Sequence, residues 1–547
     1  MSISEAPFRT PVAFVSDEHY LALTDVVLEF QQCDGCVAVV RSSPRGAVYA
    51  DLADGEYLVT LSKPGYGSKR TIAQLQHGRP WQFRLLLDTL YGYAWPKWVK
   101  SGGASEFRVH SPEPYHLSLW RYGIEKQLIR NIGWFDEHGP RPNLQVLPDG
   151  DFTQAGVDWN RQGYRPGAQQ VIAPERSGLH YFHARTASGA SFGFPWVVAP
   201  ATPGARIAVL ASTNTWNAYN NFGGRSNYIN ATGLPPTPTV NARLDLDRYS
   251  NDSTGVWNSR NETYVPLSFD RPEPFNHIPF DTGASHPIRG RQACHLAEAE
   301  WRLLAWLERE RFEYDLYADH QLHAGELDLD AYRVLVLSTH PEYWSRDAYN
   351  RVKRWTQERG GKLMYLGGNG IDCEVEFLDG SAMRCKTWLP GPPGTLRFVE
   401  PDSGRPFDCR FHYTTGQSPA ELLGVIFTDA GAMTSAPYRV LEVSHWAFAG
   451  TGLREGDTFG TSTLHERCPD GASGHETDKR TPSTPSDTVI LARGLNECGG
   501  GAEMVMRSTA SGGAVFSVGS ITWPACLLVD SHVSHITRNV LARFLSG

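Results

Sequence analysis

No stretch of the 547 residues is apolar for long enough to cross a membrane, which takes about 20 consecutive apolar residues. The first residues, MSISEAPFRTP, lack the basic and apolar segments of a secretory signal. Cysteine is scarce and odd in number, with nine residues, unlike the dense and even cysteines of secreted disulfide scaffolds. These absences predict a cytoplasmic protein that has reduced thiols and no membrane partner.

The sequence also has no excess of positively charged residues. The 51 lysines and arginines are outnumbered by 59 aspartates and glutamates, which gives a net charge of −8. Because binding to phosphate backbones requires a basic surface, we expect no nucleic-acid partner. The composition is otherwise that of a globular protein, and the length predicts about two to four domains.

The first two hundred residues have the pattern of β-structure. Residues 46–70 alternate apolar and polar side chains, and the turn signals Asp54-Gly55 and Pro64-Gly65 interrupt them. Further strand-like runs follow up to residue 200. The simplest account is two β-sandwich modules, over residues 1–88 and 89–203.

The pattern changes after Pro203-Gly204. Short apolar strands alternate with amphipathic helices, which predicts an α/β domain over residues 204–547 with a mainly parallel sheet, similar to that of glutamine amidotransferases. The expected strands are 206–212, 312–318, 332–338, 362–366 and 513–519, the last of them central, and the expected helices are 295–310, 345–355 and 532–545. On the first of these helices, we expect His295 and Glu298 to face solvent.

Polar residues follow three of the expected strands, in chain order Tyr219, then His340 and Glu342, then Asn369. Parallel sheets bind ligands at the carboxyl ends of their strands, so these side chains are candidates for one site. An amidotransferase-like fold would have a G-x-C-x-G turn at the third position, whereas this chain has GGNG without a cysteine or serine nucleophile. Tyrosine, histidine and glutamate without a nucleophile indicate a metal site.

Seven segments of the second half of the chain occur in an order shared with one enzyme family. They are NTWNAYNNFGG (214–224), SFDRP (268–272), HPEYWS (340–345), LMYLGGNG (363–370), HWAFAGTGL (445–453), ASGHETD (472–478) and GAVFSVGSITW (513–523). In these segments the chain resembles the large, catalytic subunit of N,N-dimethylformamidase and its relatives. The resemblance implies hydrolysis of a small N-alkyl amide, such as N,N-dimethylformamide, to an acid and an amine.

The resemblance also implies a mononuclear Fe(III) centre held by two tyrosinates and one glutamate. The first tyrosine corresponds to Tyr219 and the glutamate corresponds to Glu342. The second tyrosine lies between these motifs, where the nearest candidate is Tyr264 and the alternatives are Tyr249 and Tyr228. The family often has a tyrosine directly after SFDRP, and this chain has a glutamate, Glu273, in that place.

Three further residues have candidate roles in amide hydrolysis. The resemblance implies a carboxylate that handles the attacking water, and it corresponds to Glu476. A carboxylate that does not bind the metal can act as general base and return the proton to the leaving amine. Asn369 is a candidate donor to the substrate oxygen or the oxyanion, and His340 is a candidate to orient the Glu342 carboxylate.

Two other functions stay open. One is a non-catalytic, multi-module binding protein with a degenerate α/β domain. The other is an iron oxygenase, although oxygenases more often bind iron through two histidines and a carboxylate. The family enzyme pairs large and small chains, so the candidate partners are a small amide substrate and a small accessory subunit, and we expect a homo-oligomer.

Overall fold

The computed structural model describes residues 10–17, 20–32, 35–136, 169–223, 226–227, 237–240, 266–288, 290–291, 293–386, 398–399 and 406–546. Most of the regular structure is β-sheet, which agrees with the prediction of a β-rich, multidomain protein. Among these residues, none of the helices is long and apolar enough to cross a membrane.

The first β module consists of two sheets that share a core. The smaller sheet contains, in spatial order, Ala47–Val48, Ala13–Asp17 and Trp81–Leu85. The larger sheet contains Gly35–Arg41, Val27–Gln32, Gly55–Ser62 and Lys69–Leu75. Alternate side chains along the strands, such as Val15, Phe30 and Val59, are buried between the two sheets because successive strand residues point to opposite faces.

The second β module has the same plan. Its three-stranded sheet contains Gln170–Ile172, Ala104–His110 and Tyr91–Trp95. Its five-stranded sheet contains Lys126–Phe135, Tyr115–Tyr122, Gly178–Thr186, Ser191–Ala199 and Trp98–Lys100. The two sheets bury an aromatic core that includes Phe107, Phe182 and Trp196.

The second half of the chain is built on one nine-stranded sheet. In chain order its strands are β1 (Ile207–Ala211), β2 (Asp315–Ala318), β3 (Val334–Thr339), β4 (Lys362–Gly367), β5 (Tyr438–Val440), β6 (Thr458–Phe459), β7 (Val489–Gly494), β8 (Glu503–Ser508) and β9 (Ala514–Ser517). Their spatial order is β2-β1-β3-β4-β9-β8-β7-β5-β6. The first five of these strands are parallel, and the remaining pairs are antiparallel.

Helices cover both faces of the parallel part of the sheet. They are α1 (Thr213–Tyr219), α2 (Ala297–Arg309), α3 (Asp319–Ala324), α4 (Arg346–Glu358), α5 (Arg410–Thr415), α6 (Ala420–Leu423), α7 (Trp523–Cys526) and α8 (Ser531–Ser546). In β1, Ile207 and Val209 join the core that contains α2 and α8, whereas Ala208 and Leu210 join the core that contains α4. Burial on both faces explains why β1 has no polar residue.

A four-stranded sheet lies beside the carboxyl ends of β3 and β4. It contains Leu267–Ser268, Ala382–Cys385, Cys373–Leu378 and Tyr343–Trp344. Its last two strands pair through Tyr343 and Cys373, and they directly continue the turns that follow β3 and β4. Shorter elements are the paired strands Ile426–Thr428 and Thr477–Lys479, Ser435–Ala436 and Ser473–Gly474, and Phe398–Val399 and Pro406–Phe407, with single 3-10 turns at Pro274–Asn276, Leu329–Ala331 and Trp446–Phe448.

The five expected strands of the second half are present, with ends that differ by up to three residues. Strand 513–519 corresponds to β9, and its predicted central position is confirmed because it lies between β4 and β8. Ser345 is the N-cap of α4, and its hydroxyl accepts the Ala348 N–H at 3.2 Å. The similarity to glutamine amidotransferases stays a prediction, as do the domain boundaries at residues 88 and 203.

The solvent-exposed position expected for His295 and Glu298 is wrong. Both are buried, with 2% and 1% of their surface exposed. The second β module covers this helix, and the Trp301 indole donates to the Gly123 carbonyl in that module at 2.8 Å. Glu298 forms ion pairs with Arg302 at 2.6 Å and with Arg291 at 3.1 Å, which explains how a carboxylate is accommodated there.

Buried charges join the second β module to the SFDRP segment. Lys97 Nζ lies 2.6 Å from Glu273 Oε1, and both side chains are less than 10% exposed. Arg108 Nη1 lies 2.5 Å from Asp270 Oδ1, and the Tyr93 hydroxyl donates to the same oxygen. Each charge faces an opposite charge because an isolated ion inside a protein is strongly unfavourable.

We predict that Lys97→Met destabilises the protein by about 3–5 kcal/mol, because it leaves the Glu273 carboxylate buried without its ammonium partner. The measurement is the midpoint of urea unfolding. Lys100→Met is the matched control, since Lys100 is exposed and lies 4.0 Å from Glu326, so its loss costs at most about 1 kcal/mol. Equal midpoints for the two variants would contradict the prediction.

Candidate functional site

Helix α1 brings Tyr219 to the turn that follows β3. The Thr215 hydroxyl donates to the His340 carbonyl at 2.7 Å and accepts the Glu342 N–H at 3.2 Å. Tyr219 is the last residue of the helix, four positions after Thr215, and residues at this spacing lie on the same helix face. The half-buried Tyr219 ring consequently packs near His340, with 5.6 Å between ring centroids.

His340 lies between two carboxylates. Its Nε2 is 3.2 Å from Glu342 Oε2 and 3.3 Å from Glu476 Oε2. The histidine is fully buried, whereas the two glutamate side chains are 4% and 19% exposed. The residue before it, Thr339, has a φ of 51°, a left-handed conformation that turns the chain sharply at the end of β3.

Asn369 completes this cluster from the turn that follows β4. Its Nδ2 donates to Glu476 Oε2 at 2.9 Å and lies 3.4 Å from His340 Nε2. Its φ of 48° is again left-handed. An oxyanion role would require this Nδ2 donor, which here donates to Glu476. The oxyanion role of Asn369 therefore stays a prediction.

Burial and hydrogen bonding set the charges of the cluster. Burial alone lowers the pKa of His340, but hydrogen bonds to the two glutamates outweigh it and raise this pKa to about 10. Burial alone raises the pKa of Glu476, but His340 and Asn369 hold it at about 2. Burial raises the pKa of Glu342, and the nearby Asp372 adds to this effect. The pKa values of the two glutamates thus shift in opposite directions, because Glu476 also accepts a hydrogen bond from Asn369 and lies near His475.

His295 also faces this cluster, although the sequence predicted it in solvent. Its ring lies 4.7 Å from the Tyr219 ring and 5.2 Å from the His340 ring, measured between centroids. Neither ring nitrogen has a hydrogen-bond partner within the part of the chain that the structure describes. Burial lowers the pKa of His295 well below its usual value, so the ring is neutral.

Two groups of side chains have the spacing of metal ligands. Ligand atoms of Glu342, Asp372 and Cys373 lie within 4.8 Å of one another, and the same is true of Cys294, His465 and His475. Burial raises the pKa of Asp372 and of the Cys373 thiol. The first group therefore adds a carboxylate and a thiol beside Glu342, one of the predicted ligands.

Hydrogen bonding accounts for the second group without a metal. The Cys468 N–H donates to His465 Nδ1 at 3.1 Å, so the neutral ring of His465 has its proton on Nε2. This proton is donated to His475 Nδ1, 3.1 Å away. A metal on His465 Nε2 would require an imidazolate, whereas ligating histidines normally keep the proton on the other nitrogen and donate it. We therefore interpret this group as a hydrogen-bonded histidine pair beside Cys294.

Five of the predicted site residues come together here, from four segments of the chain: Tyr219, Glu342, His340, Asn369 and Glu476. Tyr264, Tyr249 and Tyr228 lie outside the described residues. Glu273, where the family often has tyrosine, is bound to Lys97 and accepts from Asn276 at 2.9 Å, so it is engaged with the β module.

The sequence analysis missed His295, Asp372 and Asp478 at this site. Asp478 belongs to the quoted ASGHETD segment, and Asp372 follows GGNG closely, so both were adjacent to recognised motifs. His295 had no such signal, because its position depends on contacts with Tyr219, His340 and His475, which are distant from it in the chain.

Gly368 has no room for a side chain. A Cβ atom there would lie 2.5 Å from the Glu476 carbonyl oxygen and 2.8 Å from the Ile521 nitrogen. Both are backbone atoms and cannot rotate away. The Asn369 turn and the Glu476 segment are therefore in direct backbone contact.

We predict that Gly368→Ala destabilises the protein by about 1–3 kcal/mol, because the added methyl group separates these two segments. Urea unfolding measures the change. Gly35→Ala is the control, since a Cβ at Gly35 meets no atom within 4 Å, and we expect a change within about 0.5 kcal/mol. If Gly368→Ala unfolds at the wild-type midpoint, the close approach is not as described.

Comparisons with known proteins identify the family. The N,N-dimethylformamidase beta subunit of Paracoccus aminophilus is 26% identical over 291 residues, and that of an Alcaligenes species is 27% identical over 286 residues. Each match covers 45% of this chain, and the chain spans 36% of the length of each relative. Both relatives are named beta subunits. They support the predicted family but do not show that this chain corresponds to a large, catalytic subunit.

A solved structure gives a weaker match. The Bacteroides ovatus mixed-linkage glucan utilization protein SGBP-B, in complex with a heptasaccharide, has a TM-score of 0.10 at 8% identity. The match covers 38% of this chain and 47% of that chain, and at this score it supports no argument about fold or function.

A family model gives the broadest match. It describes the C-terminal part of N,N-dimethylformamidase beta subunit-like proteins, and it matches residues 168–535, which contain every residue of the site described above. The chain belongs to the N,N-dimethylformamidase beta subunit-like family.

Proposed function

We propose that the protein is an iron-dependent amidohydrolase that cleaves a small N-alkyl amide, such as N,N-dimethylformamide, to an acid and an amine. The observation that carries the proposal is the pair of carboxylates, Glu342 and Glu476, on either side of His340, which follows the parallel strand β3 directly. Two carboxylates in different surroundings suit different roles, one as ligand and one as base. The names of the family and of both relatives support this reaction class.

The residues of the site fit a ferric ion. Tyr219 and Glu342 offer hard oxygen donors, which favour Fe(III) over softer metals. Burial raises the pKa of Glu342, so its surroundings disfavour a negative charge that a bound cation would offset. We propose Tyr219 and Glu342 as two ligands and a second tyrosine as the third, with Tyr264 the first candidate. A ferric ion there would act as a Lewis acid toward the amide carbonyl and toward water.

The proton transfers are assigned to one residue of the site, and its neighbours hold that residue in position. Hydrogen bonds from His340 and Asn369 lower the pKa of Glu476 and keep it ionised, the form in which a carboxylate can accept a proton. Glu476 accepts the proton of the attacking water and returns it to the leaving amine. His340 and Asn369 both hydrogen bond to Glu476 Oε2, which leaves Oε1 as the oxygen that faces the reaction. His340 also contacts Glu342 and so fixes the spacing of the two carboxylates.

A small accessory subunit is part of the proposal. Both curated relatives carry a subunit name, which supports an enzyme of more than one chain type. Homo-oligomerisation stays a prediction. Light scattering of the purified chain tests it directly.

We predict about one iron per chain in the purified protein, with visible colour from phenolate-to-iron charge transfer. Tyr219→Phe and Glu342→Gln should both lose iron, because each removes an anionic oxygen donor and keeps the size of the side chain. Elemental analysis and the visible absorption spectrum are the measurements. Tyr349→Phe is the control, since Tyr349 is a buried tyrosine of α4 that donates to the Ser418 carbonyl, away from the site.

The outcomes separate this proposal from its alternatives. A colourless, metal-free wild type would favour the non-catalytic binding protein. Iron with oxygen consumption and no amide cleavage would favour the oxygenase. Full iron and colour in Tyr219→Phe would remove Tyr219 from the ligand set while leaving the reaction class open.

We predict that Glu476→Gln keeps its iron while kcat falls by about 10²–10⁴, the usual contribution of general base catalysis. Glutamine preserves the size of the side chain and accepts hydrogen bonds, but its oxygen is not basic. The measurement is amine release from a panel of short N-alkyl amides, with iron content determined on the same samples. A rate near that of the wild type would assign the base to another group of the site.

A further inference from the structure

The turn after β4 has a conformation that its own sequence does not favour. Asn369 and Ile371 have φ values of 48° and 57°, in the left-handed region where non-glycine residues are uncommon. Gly368 touches the Glu476 backbone, and a Cβ at Gly370 would lie 2.6 Å from the Tyr365 hydroxyl oxygen. Such a turn persists only when the surrounding structure holds it.

Asp478 provides the contacts that hold this turn. Its Oδ1 accepts the Asn369 N–H at 2.8 Å, and its Oδ2 accepts the Tyr365 hydroxyl at 2.7 Å. The Tyr365 ring in turn lies directly against Gly370. The carboxylate therefore holds the turn at Asn369 directly and, through the tyrosine, supports it at Gly370.

Asp478 is itself fixed in position. The Asp478 N–H donates to the Gly519 carbonyl at 2.9 Å, and Asp478 pairs with Phe427 in a short antiparallel sheet. The side chain is completely buried. The carboxylate is consequently a rigid acceptor.

The same segment carries the candidate base. Glu476 precedes Asp478 by two residues, directly before the short strand Thr477–Lys479. Asn369 joins both, because its N–H donates to Asp478 and its Nδ2 donates to Glu476 at 2.9 Å. The hydrogen bond from the Asn369 N–H to Asp478 thus fixes the position from which the Asn369 side chain donates to Glu476.

We propose that Asp478 is a positioning residue of this site, which holds the backbone of Asn369 so that the Asn369 amide orients the Glu476 carboxylate. The inference rests on the proposed amide hydrolysis and adds a residue to it. Asp478 acts through Asn369 and is not placed against the substrate.

A double-mutant cycle tests this inference. Asp478→Asn replaces one of two acceptor oxygens by a donor, and we expect kcat to fall by about 10–10²-fold with KM and iron content little changed. In an Asn369→Ala background the same substitution should cause almost no further loss of kcat, because the group through which Asp478 acts is already gone. Effects that multiply in the double variant would show that Asp478 acts independently of Asn369, and the inference would be wrong.

The chain offers a matched control for general destabilisation. Asp315 is also buried, and its Oδ2 accepts the N–H groups of Gly204 and Ala205 and the Tyr332 hydroxyl, at 2.8, 3.1 and 2.9 Å. It is the first residue of β2, far from the turn after β4 in the sheet order. Asp315→Asn should lower the midpoint of urea unfolding and leave kcat unchanged.

The pH profile gives a second readout. Burial raises the pKa of Asp478 to about 7, and the titratable groups that face it are Tyr365, Glu476 and His340. Protonation below this pH removes an acceptor from the turn, so kcat of the wild type should fall as pH decreases through about 7. This step should be absent from Asp478→Asn, and its persistence would contradict the inference.

A crystal structure of Asp478→Asn separates the inference from the proposed function. We expect Asn369 to leave its left-handed conformation and its 2.9 Å contact with Glu476 to be lost. Retention of both would refute the positioning role, whatever reaction the enzyme catalyses. If the wild type hydrolyses no amide while the contact is lost in the variant, only the proposed function fails.

Discussion

The site depends on one buried imidazole that hydrogen bonds to two carboxylates through a single nitrogen. Without His340, Glu342 and Glu476 would be two buried anions with like charge on neighbouring turns, an arrangement that proteins avoid unless a cation or a proton is shared. With it, one carboxylate is held ionised and the other is left in surroundings that disfavour its charge. This difference is what makes a division of roles between the two glutamates physically reasonable.

Backbone strain is concentrated around the same imidazole. Thr339, Asn369, Ile371 and His475 all have positive φ values, and each lies within two residues of a side chain of the site. Left-handed conformations of non-glycine residues are unfavourable, and they are found where the surrounding structure compels them. Here the compelling contacts include the close backbone approach at Gly368 and the hydrogen bond from the Asn369 N–H to Asp478, so the side chains of the site have little freedom to reorient. A preorganised site of this kind needs no large movement before reaction.

The sheet strands were predictable from the sequence, because a strand that is buried on both faces must be apolar. The site residues after them were predictable as well, because parallel sheets bind ligands at the carboxyl ends of their strands. This reasoning identified β1, β3 and β4 and led to Tyr219, Glu342 and Asn369. It failed where distant chain segments decide the environment. His295 was expected in solvent because a single helix shows only its own periodicity, whereas its ring packs against Tyr219, His340 and His475, which belong to three other segments of the chain. The partner of Glu273, Lys97, is 176 residues away in the chain, so no local pattern could indicate that Glu273 was engaged.

The ion pairs that join the second β module to the SFDRP segment bear on how this protein can be divided. A cut near residue 203 separates two regions that differ in topology, and it looks like a natural place to express the second half alone. Such a fragment would retain Asp270 and Glu273 while losing Arg108 and Lys97, so two interior carboxylates would meet water or each other. The second module therefore belongs electrostatically to the folded unit that carries the site, and a truncation between the sheets would still leave buried charges without their partners.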